Sequence, residues 1–423
     1  MNQLIFRSVF IIILSAATAV LADDWPQYRG IHGDGKTAEV VSGERWPADG
    51  PRQLWKAATP KGFSSFSVAD GRAFTLIAEA DSEGMNRETC IALNAESGER
   101  LWSVALGSSD YEQGGGDSGA EGNRGGDGPR STPSTDGRHV FVYDSHMALY
   151  CFDAKTGTVQ WQTNLIDDYA GRKISWLNAA SPLLSDSLLF VSGGGAEQSF
   201  LAFDKVSGEV VWKSGDETMT HATPVFATLG NVRQVVFFAK SGLVSVDRKS
   251  GQEQWRTMFP YSTSTAASPV IHGDLVYCSA GYGVGAGLFR IGVSVAGYAP
   301  EDVWQKPNEL MNHWSTPIYL DGHLYGIFGF KKYGKAPLQC VELSTGEIKW
   351  SENGFGPGNC ILAGDKLLIL SDDGHLVMVE ANSQSYSELN RAKVVQGKCW
   401  STPGFSNGRI YVRSTVEGAC LEL

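Results

Sequence analysis

The sequence predicts an all-β protein: an eight-bladed β-propeller of four-stranded antiparallel blades, closed by an N-terminal strand, with tryptophans docking between blades. Three observations predict it. An outer-hairpin phrase is written five times, an inner-strand phrase six times, and the chain stops one strand short of its last unit. A repeat of a few dozen residues overrides any single-segment reading, because each unit cannot bury its apolar face alone.

The outer phrase is an Asn, Asp or Glu, two variable residues, Ser or Thr, Gly, three more residues, then Trp. Its copies are Asn94–Ser97–Gly98–Trp102, Asp153–Thr156–Gly157–Trp161, Asp204–Ser207–Gly208–Trp212, Asp247–Ser250–Gly251–Trp255 and Glu342–Thr345–Gly346–Trp350. The first side chain is suited to hydrogen-bond the turn backbone, and Gly supplies the left-handed residue of a tight hairpin. An alternating strand precedes each turn and a short strand ending in Trp follows, so the indole is placed to pack on the neighbouring unit. The expected docking residues are Trp55, Trp102, Trp161, Trp212, Trp255, Trp304 and Trp350.

The inner phrase is Thr132-Pro133, Ser181-Pro182, Thr223-Pro224, Ser268-Pro269, Thr316-Pro317 and Thr402-Pro403. Each opens a short apolar strand, where the missing N–H of Pro does least damage. Turns such as Asp136-Gly137 and Asn407-Gly408 then lead to a strand ending in an aromatic residue. Two degenerate copies, Phe66–Phe74 and Asn359–Ile369, keep the turn without the Pro and bring the units to eight. Four-stranded sheets repeated radially make a propeller. The last unit lacks its outer strand, and Arg52–Trp55 is available to supply it, which removes an open edge.

Composition sets limits. Hydrophobic residues make up 42% and charged residues 19%, with 50 Gly for the turns. A formal net charge of −11 argues against nucleic acid or an anionic membrane surface as partner. The chain divides into a signal peptide at 1–22, an N-terminal arm at 23–50 and the propeller at 51–423. Arg7 precedes the apolar run Val9–Leu14, and Val20-Leu21-Ala22 resembles a cleavage site, so export with cleavage after Ala22 and a periplasmic or secreted location are expected. No later stretch is apolar enough to span a bilayer.

Of the seven Cys, Cys151, Cys340 and Cys420 stand two residues before an acidic residue, where other units carry Ala92, Ala202 and Ser245. That position calls for a small residue, and Cys serves as a small hydrophobe. Cys90, Cys278, Cys360 and Cys399 leave a bridge open, and no pair has metal-ligand spacing. The acidic, Gly-rich stretch Ala105–Arg130 has no regular calcium-loop pattern and reads as a surface loop.

The long loops fall on one face, opposite the short Asp-Gly and Thr-Gly turns, and function on a repeat scaffold usually sits on such loops. Three residues before each Pro stand Arg130, Ala179, His221, Ala266, Trp314 and Trp400. With Trp176, Asn178, Asn312 and His313 nearby, they form a candidate channel-mouth site for a flat or anionic ligand. The competing reading is a structural plug of the channel. His146 beside Asp144 reads as surface decoration.

These repeats resemble the pyrroloquinoline quinone (PQQ)-like propeller family. It includes quinoprotein alcohol and glucose dehydrogenases and the propeller lipoprotein of the outer-membrane β-barrel assembly machine. The resemblance covers about Pro51 to Leu423, and Trp25-Pro26-Gln27-Tyr28-Arg29-Gly30 is similar to a lead-in of exported bacterial members. It implies eight blades with tryptophan docking. The alcohol dehydrogenases carry an adjacent Cys-Cys pair, which this chain lacks, and neither their calcium ligands nor their catalytic Asp finds a match. A haem-attachment Cys-x-x-Cys-His and a lipid-attachment Cys after the leader are also missing. The reading is therefore a non-catalytic exported propeller, with no assigned catalytic residue, metal or cofactor, that binds a protein partner or small ligand on its long-loop face. A PQQ- and calcium-dependent oxidoreductase acting on alcohols or sugars is the alternative.

Overall fold

The computed structural model describes residues 24–41, 45–47, 49–111, 128–261, 263–329 and 336–423. The leader and the segment 112–127, with its Arg124-Gly125-Gly126, lie outside them. Eight antiparallel sheets of four main strands follow one another: blade 1 (67–108), blade 2 (134–164), blade 3 (183–214), blade 4 (225–258), blade 5 (270–307), blade 6 (318–352), blade 7 (359–393) and blade 8 (404–422). Blade 8 takes its outer strand from Arg52–Ala58, with Trp55 opposite Cys420 and Lys56 opposite Ala419. The only helix among the described residues is the single turn Leu165–Asp168.

Middle strands such as Leu188–Ser192 are buried on both faces, whereas the outer strand Val210–Ser214 buries little but Trp212. The outer phrase explains that difference. Asp204 Oδ1 accepts the backbone N–H groups of Val206 and Ser207 at 3.0 and 2.8 Å, and Asp153 and Asp247 do the same in their turns. A bulge then shifts the register just before the Trp. The indole rotates onto the next blade's turn. Trp212 Nε1 donates to Arg248 O at 2.9 Å, and a Cβ on Gly251 would lie 2.5 Å from the indole. Gly251 also has φ +71°, so its position demands Gly for both conformation and space.

Trp55, Trp102, Trp161, Trp304 and Trp350 likewise donate to a backbone carbonyl in the following blade, those of Ala95, Ala154, Lys205, Leu343 and Asn382. Trp255 differs. It is buried against blade 5, but its N–H goes to Gln234 Oε1 within its own blade, at 2.9 Å. Blade 5 has no turn phrase to receive it and instead extends a long hairpin, Gly285–Ser294 with Gly297–Pro307. Blade 7 carries Asn390 at the Trp position; its side chain accepts the backbone N–H of Trp46, whose indole packs there from the arm.

The small position before each turn lies directly across the ladder from the indole. Cys151 faces Trp161, Ala202 faces Trp212 and Cys340 faces Trp350. All seven Cys are buried free thiols, so the bridge left open by the sequence does not form.

The Ser/Thr of the inner phrase has its own role. Thr402 N–H donates to Ser65 Oγ, Ser65 N–H to Thr132 Oγ1, Thr132 N–H to Ser181 Oγ, and Ser181 N–H to Thr223 Oγ1, all at 2.9–3.0 Å. Ser268 N–H donates likewise to Thr316 Oγ1. A belt of hydroxyls thus joins inner strands around the channel. Buried backbone N–H groups that no ladder satisfies find their partners there.

The arm crosses the short-turn face. Trp25 pairs with Val68, Pro26 O accepts from Thr135 N, and Gln27 Oε1 accepts from Leu184 N. The fully buried Arg29 donates to Thr316 O and Pro317 O, Lys36–Thr37 adds a parallel strand to blade 7, and Glu39 accepts from Asn407 N and Gly408 N. One segment touches most of the ring.

Candidate functional site

On the long-loop face the channel opens into a cavity of about 130 Å³, with Tyr28 of the arm among its lining residues. Arg130, Trp176, His221, Trp314 and Trp400 all line it. Asn178 and Asn312 do not. They are 1% exposed and tie loops from behind: Asn178 Nδ2 donates to Tyr143 O and Asp144 O, and Asn312 Nδ2 to Ile327 O. Their amides stabilise the wall rather than face the cavity.

Phe63, Tyr282, His313 and Tyr28 complete the aromatic lining. Phe63 was legible, since it stands three residues before Phe66, which takes the Pro position in the degenerate first unit. Tyr282 and Tyr28 belong to no repeat and carry no such signal.

Phe63, Trp400 and Trp314 stack in sequence, with centroid separations of 4.9 and 4.3 Å and interplanar angles of 27°. His313 meets Trp314 and Tyr282 edge-to-face at 5.1 and 5.0 Å. Rings that cover one another's faces leave edges for the cavity, and aromatic edges carry partial positive charge. Trp314 Nε1 donates to Pro357 O at 3.0 Å, which fixes the indole.

The opposite wall is a corner. Trp176 and Leu177 both adopt left-handed backbone, φ +64° and +59°. Consecutive non-Gly residues in that region cost roughly 1–3 kcal/mol each and persist only where the surroundings impose them. Arg130 Nη1 donates to Trp176 O at 2.7 Å, and a ring nitrogen of His221, Nε2, lies 3.0 Å from Ser175 O.

Burial and the Arg130 charge push His221 down to about 4. Burial, His221 and Arg130 push His313 down to about 3. Both imidazoles are neutral at ordinary pH, and Arg130 is the one formally charged side chain among the described lining residues. No Asp or Glu is among them, although the chain carries 46. Such a set can hold an anion and flat apolar surface. It offers neither carboxylate ligands for calcium nor a carboxylate base, so the donor set does not fit a calcium–quinone centre. Among the described residues no group of three or more His, Cys, Asp or Glu is arranged to hold a metal ion.

A second polar cluster lies beside the mouth. Glu88 and Asp144, 0% and 1% exposed, are neighbours in the core between blades 1 and 2. The reading of His146 as surface decoration is corrected here: the ring is half-buried, with Nε2 2.8 Å from Ser108 O. Asp144 Oδ1 accepts from His146 N and Ala148 N and holds a tight turn in blade 2.

Residues 86–352 match the family model described as outer membrane protein assembly factor BamB. The chain belongs to this PQQ-like propeller family. No curated protein sequence matches it significantly. Among solved structures, BamB from Moraxella catarrhalis is 15% identical with a TM-score of 0.60, over 88% of this chain and 97% of that one. The quinohemoprotein alcohol dehydrogenase from Comamonas testosteroni is 12% identical with a TM-score of 0.65, over 94% and 80%. The computationally designed Ika8 protein is 10% identical with a TM-score of 0.57, over 88% and 100%. Likeness at this level establishes the fold, and function has to be argued from the site. Among the described residues no helix is long and apolar enough to cross a membrane.

Proposed function

We propose that this PQQ-like propeller is an exported, non-catalytic binding protein. Its channel mouth takes a small ring-bearing anion, either free or as a group presented by a protein partner on the long-loop face. The observation that carries this reading is the lining itself: one guanidinium among aromatic edges and neutral imidazoles, with no carboxylate among the described lining residues, in a chain of net charge −11. Hydroxyls of Ser65, Ser181, Thr223 and Thr402 add neutral hydrogen-bonding capacity. The space suits a single ring, since a cavity of about 150 Å³ holds benzene. The leader read at 1–22 supports a periplasmic or secreted location.

The test is ligand-observed NMR with benzoate, benzyl alcohol and benzylamine on wild type and on a Trp314→Ala, Trp400→Ala double variant. Benzoate is expected to bind best, and only to wild type. Equal binding to both proteins would move the site out of the mouth. Kinship with quinoprotein dehydrogenases motivates a control: dye-linked oxidation of alcohols and sugars after addition of PQQ and Ca²⁺. Turnover above background there would replace the binding reading with the enzyme one.

A further inference from the structure

We propose that Glu88 and Asp144 form a proton-controlled clamp that holds the Trp176–Asn178 corner, and with it one wall of the channel mouth, in its binding shape. The effect on ligand rests on the anion-binding reading above; the clamp itself does not.

The connection can be followed bond by bond. Glu88 Oε2 accepts the backbone N–H of Ser145 at 3.1 Å, Oε1 accepts from Tyr111 Oη at 2.6 Å, and the Ser145 hydroxyl lies against Oε1. Ser145 O in turn accepts the backbone N–H of Asn178 at 3.1 Å, and Asp144 O accepts from Asn178 Nδ2 at 3.2 Å. Asn178 therefore hangs on the Asp144–Ser145 backbone. It directly follows the left-handed pair Trp176–Leu177, whose first carbonyl anchors Arg130. A strained corner next to the binding charge is pinned from behind by a buried carboxyl group.

Two carboxylates in one dry pocket cannot both ionise cheaply. Asp144 Oδ2 is buried beside the Gly107 backbone, with no side-chain donor to offset its charge. Burial first, and then the charge of Asp144, raise Glu88; burial raises Asp144 as well. The other titratable groups facing the pair are Tyr111, Tyr143, Tyr150, His146 and Arg130. Burial pushes the three phenols above the neutral range. With one proton between them, Glu88 and Asp144 keep Ser145 clamped. Loss of that proton sets two charges against each other, and displacing the Asp144–Ser145 turn relieves the repulsion. That displacement releases Asn178 and frees the corner to relax from its left-handed backbone.

The experiment follows amide hydrogen exchange of residues 174–180 between pH 6.5 and 9, corrected for intrinsic rates, in wild type and Glu88→Gln. The amide keeps the shape of the protonated acid without its titration. Protection in wild type is expected to fall at least threefold, and Glu88→Gln to stay flat. Should Glu88→Gln fail to fold, Asp144→Asn removes the repelling charge, so protection is expected to stay flat there as well. Unchanged wild-type protection, or the same loss in the variants, overturns the clamp. Benzoate, anionic throughout this range, reports on the mouth in parallel: its affinity should weaken at least threefold with rising pH in wild type only. Exchange that follows pH while benzoate binding ignores Arg130→Gln supports the clamp and sinks the anion reading. Benzoate binding that needs Arg130 but does not vary with pH, alongside flat exchange, does the reverse.

Discussion

On the turn face, the repeated phrase answers to its own geometry: Asp204 caps its own turn, Gly251 makes room for Trp212, and the indole closes the blade junction. On the loop face, Trp314 and Trp400 stack on each other, Trp176 and Leu177 hold left-handed backbone, and two carboxyl groups are buried together. The turn face satisfies local rules apart from the arm that covers it, where Arg29 is buried and holds φ +63°. The loop face breaks several at once and leaves a cavity. Local rules are broken where strain and burial are held in place by something beyond folding, and that difference supports the proposed recognition on the loop face.

The largest effect that separates the faces is in stability. Trp212→Ala should cost about 3–5 kcal/mol, since a buried indole and its bond to Arg248 are lost together. Trp314→Ala, half-buried at the mouth, should cost less than half as much while abolishing benzoate binding. Denaturant midpoints and ligand-observed NMR on the two variants check this, and equal midpoints would erase the distinction.

Next comes pH. Glu88 is raised in the folded state, from 4.5 up to about 8, so the folded chain holds a proton that the unfolded chain releases. That contribution is complete below the ordinary carboxylate range and is lost as pH rises through about 8. His221 and His313 are lowered, so their contribution is present above about 6.5 and is lost as pH falls below it. Between pH 6.5 and 8 the acid pair is the main source of change among the described residues. Stability should decline there by at most about 2 kcal/mol, and Glu88→Gln should remove the slope. A wild-type midpoint constant over that window would contradict the buried pair.

The smallest effect belongs to the turn face. Asp153→Ala removes bonds to Lys155 and Thr156 and should cost about 1 kcal/mol, with benzoate affinity unchanged. A change in that affinity would mean the faces are coupled.

Legibility in the sequence follows the same division. The blades, the closing strand and six docking bonds could be read because one phrase recurs with one geometry. Trp255 docks on blade 5 as expected, but its N–H turns back to Gln234 because blade 5 lacks the phrase that would receive it. Arg130, His221, Trp314 and Trp400 were reachable through their shared offset from Pro, and Phe63 through the same offset in a degenerate unit. Asn178 and Asn312 were misread, since an amide near a mouth looks alike whether it faces ligand or backbone. Glu88 was invisible. Its partner Ser145 is 57 residues away, and no local pattern records a tertiary contact.

The measurement that bears most directly on the central claim is a calorimetric titration of benzoate and benzyl alcohol into wild type and Arg130→Gln at pH 6.5. Wild type should prefer benzoate at least tenfold, and Arg130→Gln should lose that preference while remaining folded. A preference for the neutral alcohol in wild type, or one for benzoate that survives in Arg130→Gln, would contradict it.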